Sequence, residues 1–420
     1  MKLQDGYENK LINNNFVLAL FHDLVIGGIA TYYLRLFRWA SAQELKPHLL
    51  LSKGCKIEDS ILKSMVELDV NIVYIDLHLG KFTKKSQWIP TEKNYFLTSE
   101  FQCFCYLSYF LTKQDFSSFL ALYVLHPEST RVAESTTINY PFSKWYLSNG
   151  IQSTIFMDRE CADSYRSFYK LKPTQSNKSS YIPIGIDFIR NEASGERYIG
   201  HNKGKNFHIL TISRLDFPFK GYILGLLSDL QQLYKELPSI TLTIIGDGPN
   251  RINVLQQIQK LDPKLQQHIT LIENVPYENL DEYYRQCDLY IGMGTTVLDA
   301  AKYKKPSIVA TAFQCENKCV GLITDNCLNV GGNLAYCDYP STFYSQISRV
   351  YKLNQNEYSA LCNETYEIIK KNYDLNETIG KSLITRLESL DLHKPSIFVH
   401  IWNIVLIEVK KVYHCLKGVN

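Results

Sequence analysis

The chain has 420 residues, and its 45 basic side chains nearly balance its 42 acidic ones, so the formal net charge is only +3. A chain of this length usually divides into two domains with separate hydrophobic cores. The small, scattered excess of positive charge gives no reason to expect a nucleic-acid partner. The longest apolar stretches, at 101–111 and 397–409, are too short to span a bilayer. We therefore expect a cytoplasmic protein, either free or peripheral at the inner face of the membrane.

Short apolar segments alternate with helix-like segments through the first half, a pattern typical of a parallel sheet covered by helices. We predict helices at 29–41 and 58–67. The predicted strands lie near 16–21, 47–52, 71–77, 94–98, 121–125, 153–157 and 180–183.

The same alternation starts again after a polar, glycine-containing segment at 191–206, which we interpret as a linker. The predicted strands of this second half are "FHILTISR", "ITLTIIGDG", "HITLIENV", "DLYIGMG" and "PSIVATA". These patterns predict two doubly wound, Rossmann-like α/β domains that face a cleft, at 1–190 and 207–375, followed by helices at 376–420. Ligands of such sheets bind beyond the carboxyl ends of the strands.

The tail at 397–417 reads as an amphipathic helix. Its polar stripe consists of His400, Asn403, Lys410, Lys411, His414 and Lys417. Its apolar positions are Phe398, Ile401, Trp402, Val405, Leu406, Val409, Val412 and Tyr413. Two interpretations stay open: a helix that packs back on the first domain, or a basic helix that lies on an anionic membrane surface.

Two segments of the second half carry cations and tight turns at predicted strand ends. In "ISRLDFPFKG", Arg214 and Lys220 flank a proline-containing loop, so that a planar guanidinium and a mobile ammonium can converge on one diphosphate. In "IIGDGPNR", Gly246 and Gly248 allow the backbone to turn tightly after a strand.

A third segment, "IGMGTTVLDAAKYKKPSIVA" at 291–310, places Gly292 and Gly294 before a helix that is predicted to begin near Thr295. The first N–H groups of a helix have no partner within the helix, and they favour a phosphate group. The sequence therefore predicts an anion site formed by these three segments.

Together the three segments resemble the retaining nucleotide-sugar glycosyltransferases of family 4, which have the GT-B fold. "SRLDFPFKG" is similar to that family's G-R-L-x(3–4)-K-G, "IIGDGP" to its I-x-G-x-G-P, and 291–310 to its E-G-F-G-x-x-x-L-E-A-M-A-x-G-x-P-V-I-A. Fainter likenesses occur in "GGIATYYLRL" at 27–36, "LHP" at 125–127 and "IPIGID" at 182–187. The resemblance spans about residues 16–330.

The resemblance implies a role for each matching residue. Arg214 and Lys220 would bind the donor diphosphate and take part in catalysis, and Asp299 would contact the ribose hydroxyls. His126 would lie near the transferred sugar as a further catalytic residue. Backbone groups of the donor site would come from Gly27, Gly28, Gly292, Met293, Gly294, Thr295 and Thr296.

The implied activity is sugar transfer with retention from a UDP- or GDP-linked donor to a glycan or lipid-linked acceptor, in surface polysaccharide or glycolipid synthesis. No cofactor or metal is implied, because the chain has no Asp-x-Asp. One departure bears on this expectation: Ile291 stands where the family has a glutamate that contacts the donor sugar. Many members show this glutamate, but some have G-M-G-T here.

Two other functions stay open at this point. The first is a non-catalytic GT-B-like binding partner of another transferase, which the missing glutamate would suit. The second is a nucleotide-sugar epimerase, which would need further acidic or histidine groups near the donor.

Overall fold

A computed structural model describes residues 13–25, 27–83, 88–127, 153–170, 180–188, 206–273, 275–276, 279–326, 329–337, 339–390, 397–398, 400–405 and 407. The chain divides into two compact units. Unit 1 comprises Met1–Asp187 and Leu375–Asn420, and unit 2 comprises Phe188–Asp374. The predicted linker at 191–206 lies almost wholly outside the described residues.

The described strands and helices follow one another in the following order. The strands are β1 Asn15–Leu20, β2 Lys46–Ser52, β3 Asn71–Asp76, β4 Lys81–Phe82, β5 Asn94–Thr98, β6 Ser118–Val124, β7 Thr154–Phe156, β8 Ser180–Tyr181, β9 Phe207–Ile212, β10 Ile240–Ile245, β11 Ile269–Ile272, β12 Leu289–Gly292, β13 Ser307–Ala310, β14 Lys318–Leu322 and β15 Ser341–Thr342. The α-helices are α1 Gly28–Ala42, α2 Asp59–Glu67, α3 Phe101–Leu111, α4 Arg159–Tyr169, α5 Tyr222–Glu236, α6 Arg251–Gln259, α7 Pro263–Gln266, α8 Leu280–Gln286, α9 Thr295–Lys302, α10 Phe343–Lys352, α11 Gln355–Tyr373 and α12 Gly380–Glu388. A 3₁₀ turn at Leu334–Tyr336 and a π-helical turn at Leu375–Ile379 complete the set.

Unit 1 contains an eight-stranded sheet in the order β4-β3-β2-β1-β5-β6-β7-β8, in which β4 alone runs antiparallel. Alternate residues of β1 enter two different cores. Phe16, Leu18 and Leu20 pack on one face with α1, whereas Val17 and Ala19 pack on the other with α3. This period of two is expected of a strand that is covered on both faces.

Unit 2 contains a seven-stranded sheet in the order β11-β10-β9-β12-β13-β14-β15. Strands β9 to β13 are parallel, and β14 and β15 add an antiparallel edge. The order reverses between β9 and β12, as it does between β1 and β5 in unit 1. Both units therefore have the doubly wound arrangement that the alternating pattern predicts, and each has a switch point where a ligand can bind.

The predicted strands of both halves are present, and the structure adds elements that the pattern did not indicate. The apolar stretch at 101–111 is α3, which is buried on nearly all sides. The antiparallel strands β4, β14 and β15 are short or contain glycine, so their periodicity is weak. No helix in the described ranges is long and apolar enough to cross a membrane.

A buried histidine lies at the amino ends of the unit 1 strands. Asn71 Nδ2 donates to His48 Nδ1 (3.1 Å), and His48 Nε2 is 2.9 Å from Asn15 Oδ1. These contacts suit the neutral imidazole with the proton on Nε2. Burial, assisted by the charge of Lys46, lowers the pKa of His48 from 6.5 to about 4.

We expect this histidine to make unit 1 sensitive to acid. Between pH 6.5 and 4 the unfolded chain binds a proton that the folded chain excludes. The free energy of unfolding therefore decreases as the pH is lowered through this range, by about 3 kcal/mol for a shift of this size. Denaturant melts across this range should show a shallower pH slope for His48→Gln. The exposed His78 provides the control, and His78→Gln should keep the slope. Equal slopes for His48→Gln and the wild type would contradict the assignment.

The described part of the tail packs on α3 of unit 1. The His400 ring stacks on Tyr109 with centroids 4.1 Å apart, and Asn403 Nδ2 donates to Gln102 O (3.0 Å). Ile407 enters the core beneath α3. His400 and Asn403, two residues of the polar stripe, therefore face α3, where the His400 ring packs on Tyr109 and the Asn403 amide donates to a backbone carbonyl.

Candidate functional site

The unit 2 candidates lie at the carboxyl ends of β9, β10 and β12, around the switch point of the sheet. Arg214 and Lys220 are on the loop after β9, and Gly246 and Gly248 follow β10. Gly292 ends β12. The topology therefore brings together the three segments that the sequence singles out, in the crevice where doubly wound sheets bind ligands.

The loops after β9 and β10 are joined by backbone hydrogen bonds. Leu215 N donates to Asp247 O (2.9 Å), and Asn250 N donates to Leu215 O (3.0 Å). Gly246 has φ +152°, and a Cβ on it would overlap the carbonyl oxygen of Ser213. Glycine is therefore required where the backbone of Gly246 passes the backbone of Ser213. This close contact fixes the backbone of the loop that carries Arg214 and Lys220.

Arg214 projects into solvent from this fixed backbone. Its side chain is 75% exposed, and its Nε lies 4.0 Å from Asp216 Oδ2. An exposed ion pair of this length contributes little free energy. The guanidinium is consequently available to a phosphate group.

Lys220 differs from Arg214 because it is half-buried at the start of α5. Its Nζ lies 4.8 Å from the centroid of the Phe219 ring. Burial lowers the pKa of the ammonium to about 8, and within the described part of the chain no carboxylate offsets this effect. A partly desolvated cation without an acidic partner is the arrangement that a bound anion stabilises.

The turn between β12 and α9 contains the predicted site residues Gly292 and Gly294. A Cβ on Gly292 would lie 2.6 Å from the buried Tyr290 hydroxyl, so glycine is required by this ring. Gly294 has φ +70°, in the left-handed region. The N–H of Gly294 donates to Val330 O (2.6 Å), and a contact of this residue with the donor stays a prediction. The N–H groups of Thr295 and Thr296, at the start of α9, are left as the phosphate-binding candidates.

Asp299 lies one turn into α9 and is only 3% exposed. Burial, with a smaller contribution from the charge of Asp299, raises the pKa of the Tyr290 hydroxyl well above its ordinary value. That hydroxyl donates to Ile212 O (3.3 Å) at the end of β9. Asp299 therefore lies close enough to the Tyr290 hydroxyl to affect its pKa, and its ribose contact stays a prediction. Met293, which is 6% exposed, contributes its side chain to the core.

Ile291, the departure from the family pattern, is fully buried on β12. Its side chain belongs to the apolar core of unit 2, together with Ile209 of β9 and Ile308 of β13. The position therefore points away from the polar groups of the crevice. The register of β12, which places Ile291 and Leu289 on one face and Tyr290 on the other, is the physical reason.

Two further segments lie at this edge of the sheet, and sequence reasoning missed them. Gly332 O accepts a hydrogen bond from Ala312 N (2.9 Å), and Phe313 N donates to Phe219 O (3.1 Å). The loops at 311–316 and 329–332 thus border the cation-bearing loop and the start of α9. The adjacent glycines at 331–332 are the sequence feature that could have indicated this loop. They lie too far from β13 along the chain to be assigned to the site from the sequence.

The unit 1 candidates lie at the carboxyl edge of its own sheet. Gly27 caps α1 just after β1, and its carbonyl accepts from Thr31 N (3.0 Å). A Cβ on Gly28 would meet nothing within 4 Å, so the surrounding residues do not require glycine there. His126 follows β6 and is half-buried. In the described residues of both units, no group of three or more acidic, histidine or cysteine side chains could hold a metal ion.

Comparison with known proteins gives the following relations. The family model for glycosyl transferases group 1 matches residues 197–317. No curated protein matches the chain. HepE of Anabaena, solved with UDP and glucose, is 13% identical with a TM-score of 0.59, covering 90% of this chain and 100% of that one.

Two other solved structures are similar over comparable lengths. A glycosyltransferase from Rickettsia africae is 16% identical with a TM-score of 0.60, covering 90% of this chain and 98% of that one. The pneumococcal O-GlcNAc transferase GtfA, solved with UDP and GlcNAc, is 12% identical with a TM-score of 0.56, covering 90% and 99%. The chain therefore has the GT-B fold of two Rossmann-like domains, and the match of residues 197–317 to glycosyl transferases group 1 supports a glycosyltransferase.

Proposed function

We propose that the protein transfers a sugar from a UDP- or GDP-linked donor to a glycan or lipid-linked acceptor, with retention and without a metal ion, as family 4 enzymes do. The observation that carries the proposal is Lys220: a desolvated ammonium without an acidic partner among the described residues, at the switch point of unit 2. Arg214, on the same loop, and the start of α9 supply further positive charge. These groups suit a diphosphate.

In the proposed reaction, the bond between the anomeric carbon and the diphosphate oxygen breaks, and the acceptor hydroxyl oxygen forms the new bond on the same face. The leaving diphosphate accepts the hydroxyl proton. Arg214 and Lys220 stabilise the negative charge that develops on the diphosphate. A second carboxylate is unnecessary, which agrees with an apolar residue at position 291.

Residues of both units contribute to this proposal. Asp299 remains the candidate for the ribose contact, and Thr295 and Thr296 for the phosphate contact through their N–H groups. Gly27, Gly28 and His126 remain candidates for donor and sugar contacts, because they lie at the carboxyl edge of the unit 1 sheet and match the family's motifs. Surface polysaccharide or glycolipid synthesis is the proposed setting.

The proposed function is tested by incubating the protein with a panel of UDP- and GDP-linked sugars. Binding is measured by calorimetry, and slow donor hydrolysis is measured by release of the nucleoside diphosphate. Hydrolysis of one donor supports the transferase. An epimerised nucleotide sugar would instead indicate an epimerase, and absence of binding would indicate the non-catalytic alternative.

We also propose that the tail contacts an anionic membrane surface. The helical residues that pack on α3 leave an apolar ridge on the opposite side, where Phe398 is 80%, Ile401 52%, Trp402 41% and Val405 46% exposed. The sequence continues with Lys410 and Lys411. Exposed apolar and aromatic side chains followed by lysines are the composition of an interfacial helix.

We expect the double variant Phe398→Glu and Trp402→Glu to lose sedimentation with phosphatidylglycerol vesicles, because two charges replace the inserting side chains. Substitution is preferable to deletion, since deletion would also remove Asn403 and Ile407 from unit 1. The control is Val66→Glu, at an apolar position of unit 1 that is 69% exposed. Unchanged sedimentation of the double variant would contradict a membrane role for the ridge.

A further inference from the structure

Phe313 combines two features that are unfavourable in a surface loop. It is 53% exposed, and its φ is +58°, in the left-handed region that residues other than glycine rarely adopt. A bulky residue is uncommon in this conformation. Strained residues of this kind concentrate at functional sites, where the surrounding structure holds them.

The surroundings of Phe313 do hold it in place. Its N–H donates to Phe219 O, and the N–H of the preceding Ala312 donates to Gly332 O. The Phe313 and Phe219 rings lie 4.9 Å apart at an angle of 48°. The loop also packs closely on the start of α5, where a Cβ on Gly221 would overlap Cys315 Sγ. The exposed ring is therefore a fixed surface.

The place of this ring relates it to the cation of the site. Phe219 has the Lys220 ammonium 4.8 Å from its centroid and the Phe313 ring against it. A diphosphate bound to Lys220 would therefore have an exposed aromatic surface nearby, on the loop after β13. The group next to the diphosphate in a nucleotide sugar is the sugar ring, whose C–H faces pack well on aromatic rings.

From this arrangement we propose that Phe313 is a specificity-determining residue that stacks against the sugar ring of the donor, on a platform that it forms with Phe219. The inference rests on the proposed function. Position 291 has no acidic side chain to hold the donor sugar. A sugar ring that stacks on this platform can be oriented without a carboxylate.

The test compares the affinity for the nucleotide sugar selected by the donor panel with the affinity for its nucleoside diphosphate alone. Phe313→Ala is expected to weaken binding of the nucleotide sugar about fivefold to tenfold, the range of an aromatic contact, while binding of the diphosphate changes less than twofold. Phe313→Trp should retain sugar affinity, and its fluorescence should respond to the nucleotide sugar more than to the diphosphate. Tyr339→Ala, at an aromatic residue of unit 2 that is 85% exposed, is the matched control and should change neither affinity.

A second variant separates stacking from a structural role. Asparagine tolerates a positive φ, so Phe313→Asn should keep or raise the melting temperature while it weakens sugar binding. Equal losses for the nucleotide sugar and the diphosphate, or a loss of sugar affinity that accompanies a lowered melting temperature in both variants, overturn the stacking role. If the wild type binds no nucleotide sugar, the proposed function fails and the stacking role fails with it. If the wild type binds and Phe313→Ala binds equally well, only the stacking role fails.

Discussion

Replacement of Lys220 by alanine is expected to lower the affinity for UDP or GDP about a hundredfold, as the loss of a charge-assisted contact to phosphate implies. The ammonium is partly desolvated before any ligand binds. Binding of the diphosphate therefore loses less free energy to desolvation of this group. Calorimetry with UDP and GDP measures the effect. An unchanged affinity in both Lys220→Ala and Arg214→Ala would contradict the proposal that the donor diphosphate binds at the loop after β9.

The pH dependence of the affinity for UDP or GDP tests the role of the Lys220 ammonium more specifically. Because the pKa of Lys220 is about 8, the residue is charged below this pH and becomes neutral above it. An anion that binds the charged form raises its pKa, so the affinity should fall as the pH rises through 8, and binding near pH 8 should take up a proton. Lys220→Arg stays charged and should show a weaker pH dependence. A wild-type profile as flat as that of Lys220→Arg would contradict this role of the lysine.

Ile291→Glu is expected to destabilise unit 2 by about 4 kcal/mol or more and to restore no donor contact. The resemblance alone would suggest the opposite result, because the substitution introduces the glutamate that the family has at this position. Ile291 is fully buried among Ile209 and Ile308, and a carboxylate at this point would have no partner among the apolar side chains.

Urea or guanidinium denaturation followed by circular dichroism measures this change. Ile291→Val, which keeps the position apolar, is the control and should cost only about 1 kcal/mol. Wild-type stability together with faster donor hydrolysis in Ile291→Glu would mean that this side chain reaches the site.

The elements that the sequence predicts well are those with a local signal. Strand β1 shows a continuous apolar run because both of its faces are covered, and strands β9, β10 and β12 end in glycines and charged residues that mark the carboxyl edge. The helix α3 was harder to predict, because a helix that is apolar on nearly all sides has no amphipathic period. The antiparallel strand β14 contains Gly321 next to its last residue, which weakens its strand signal, and its pairing depends on β13 alongside it.

The sequence by itself determined the alternating α/β architecture, the segments that carry Arg214, Lys220 and the glycine turns, and the absence of an Asp-x-Asp. Only the tertiary structure decided how individual groups are used. Gly294 N–H donates to Val330 O, Ile291 faces the core, and Phe313 lies beside the Phe219 ring that underlies Lys220. Periodicity and turn residues are properties of neighbours along the chain and can be read from it. Hydrogen bonds and ring contacts between distant segments depend on which loops the sheet topology brings to the same edge, and that choice appears only when the whole unit is folded.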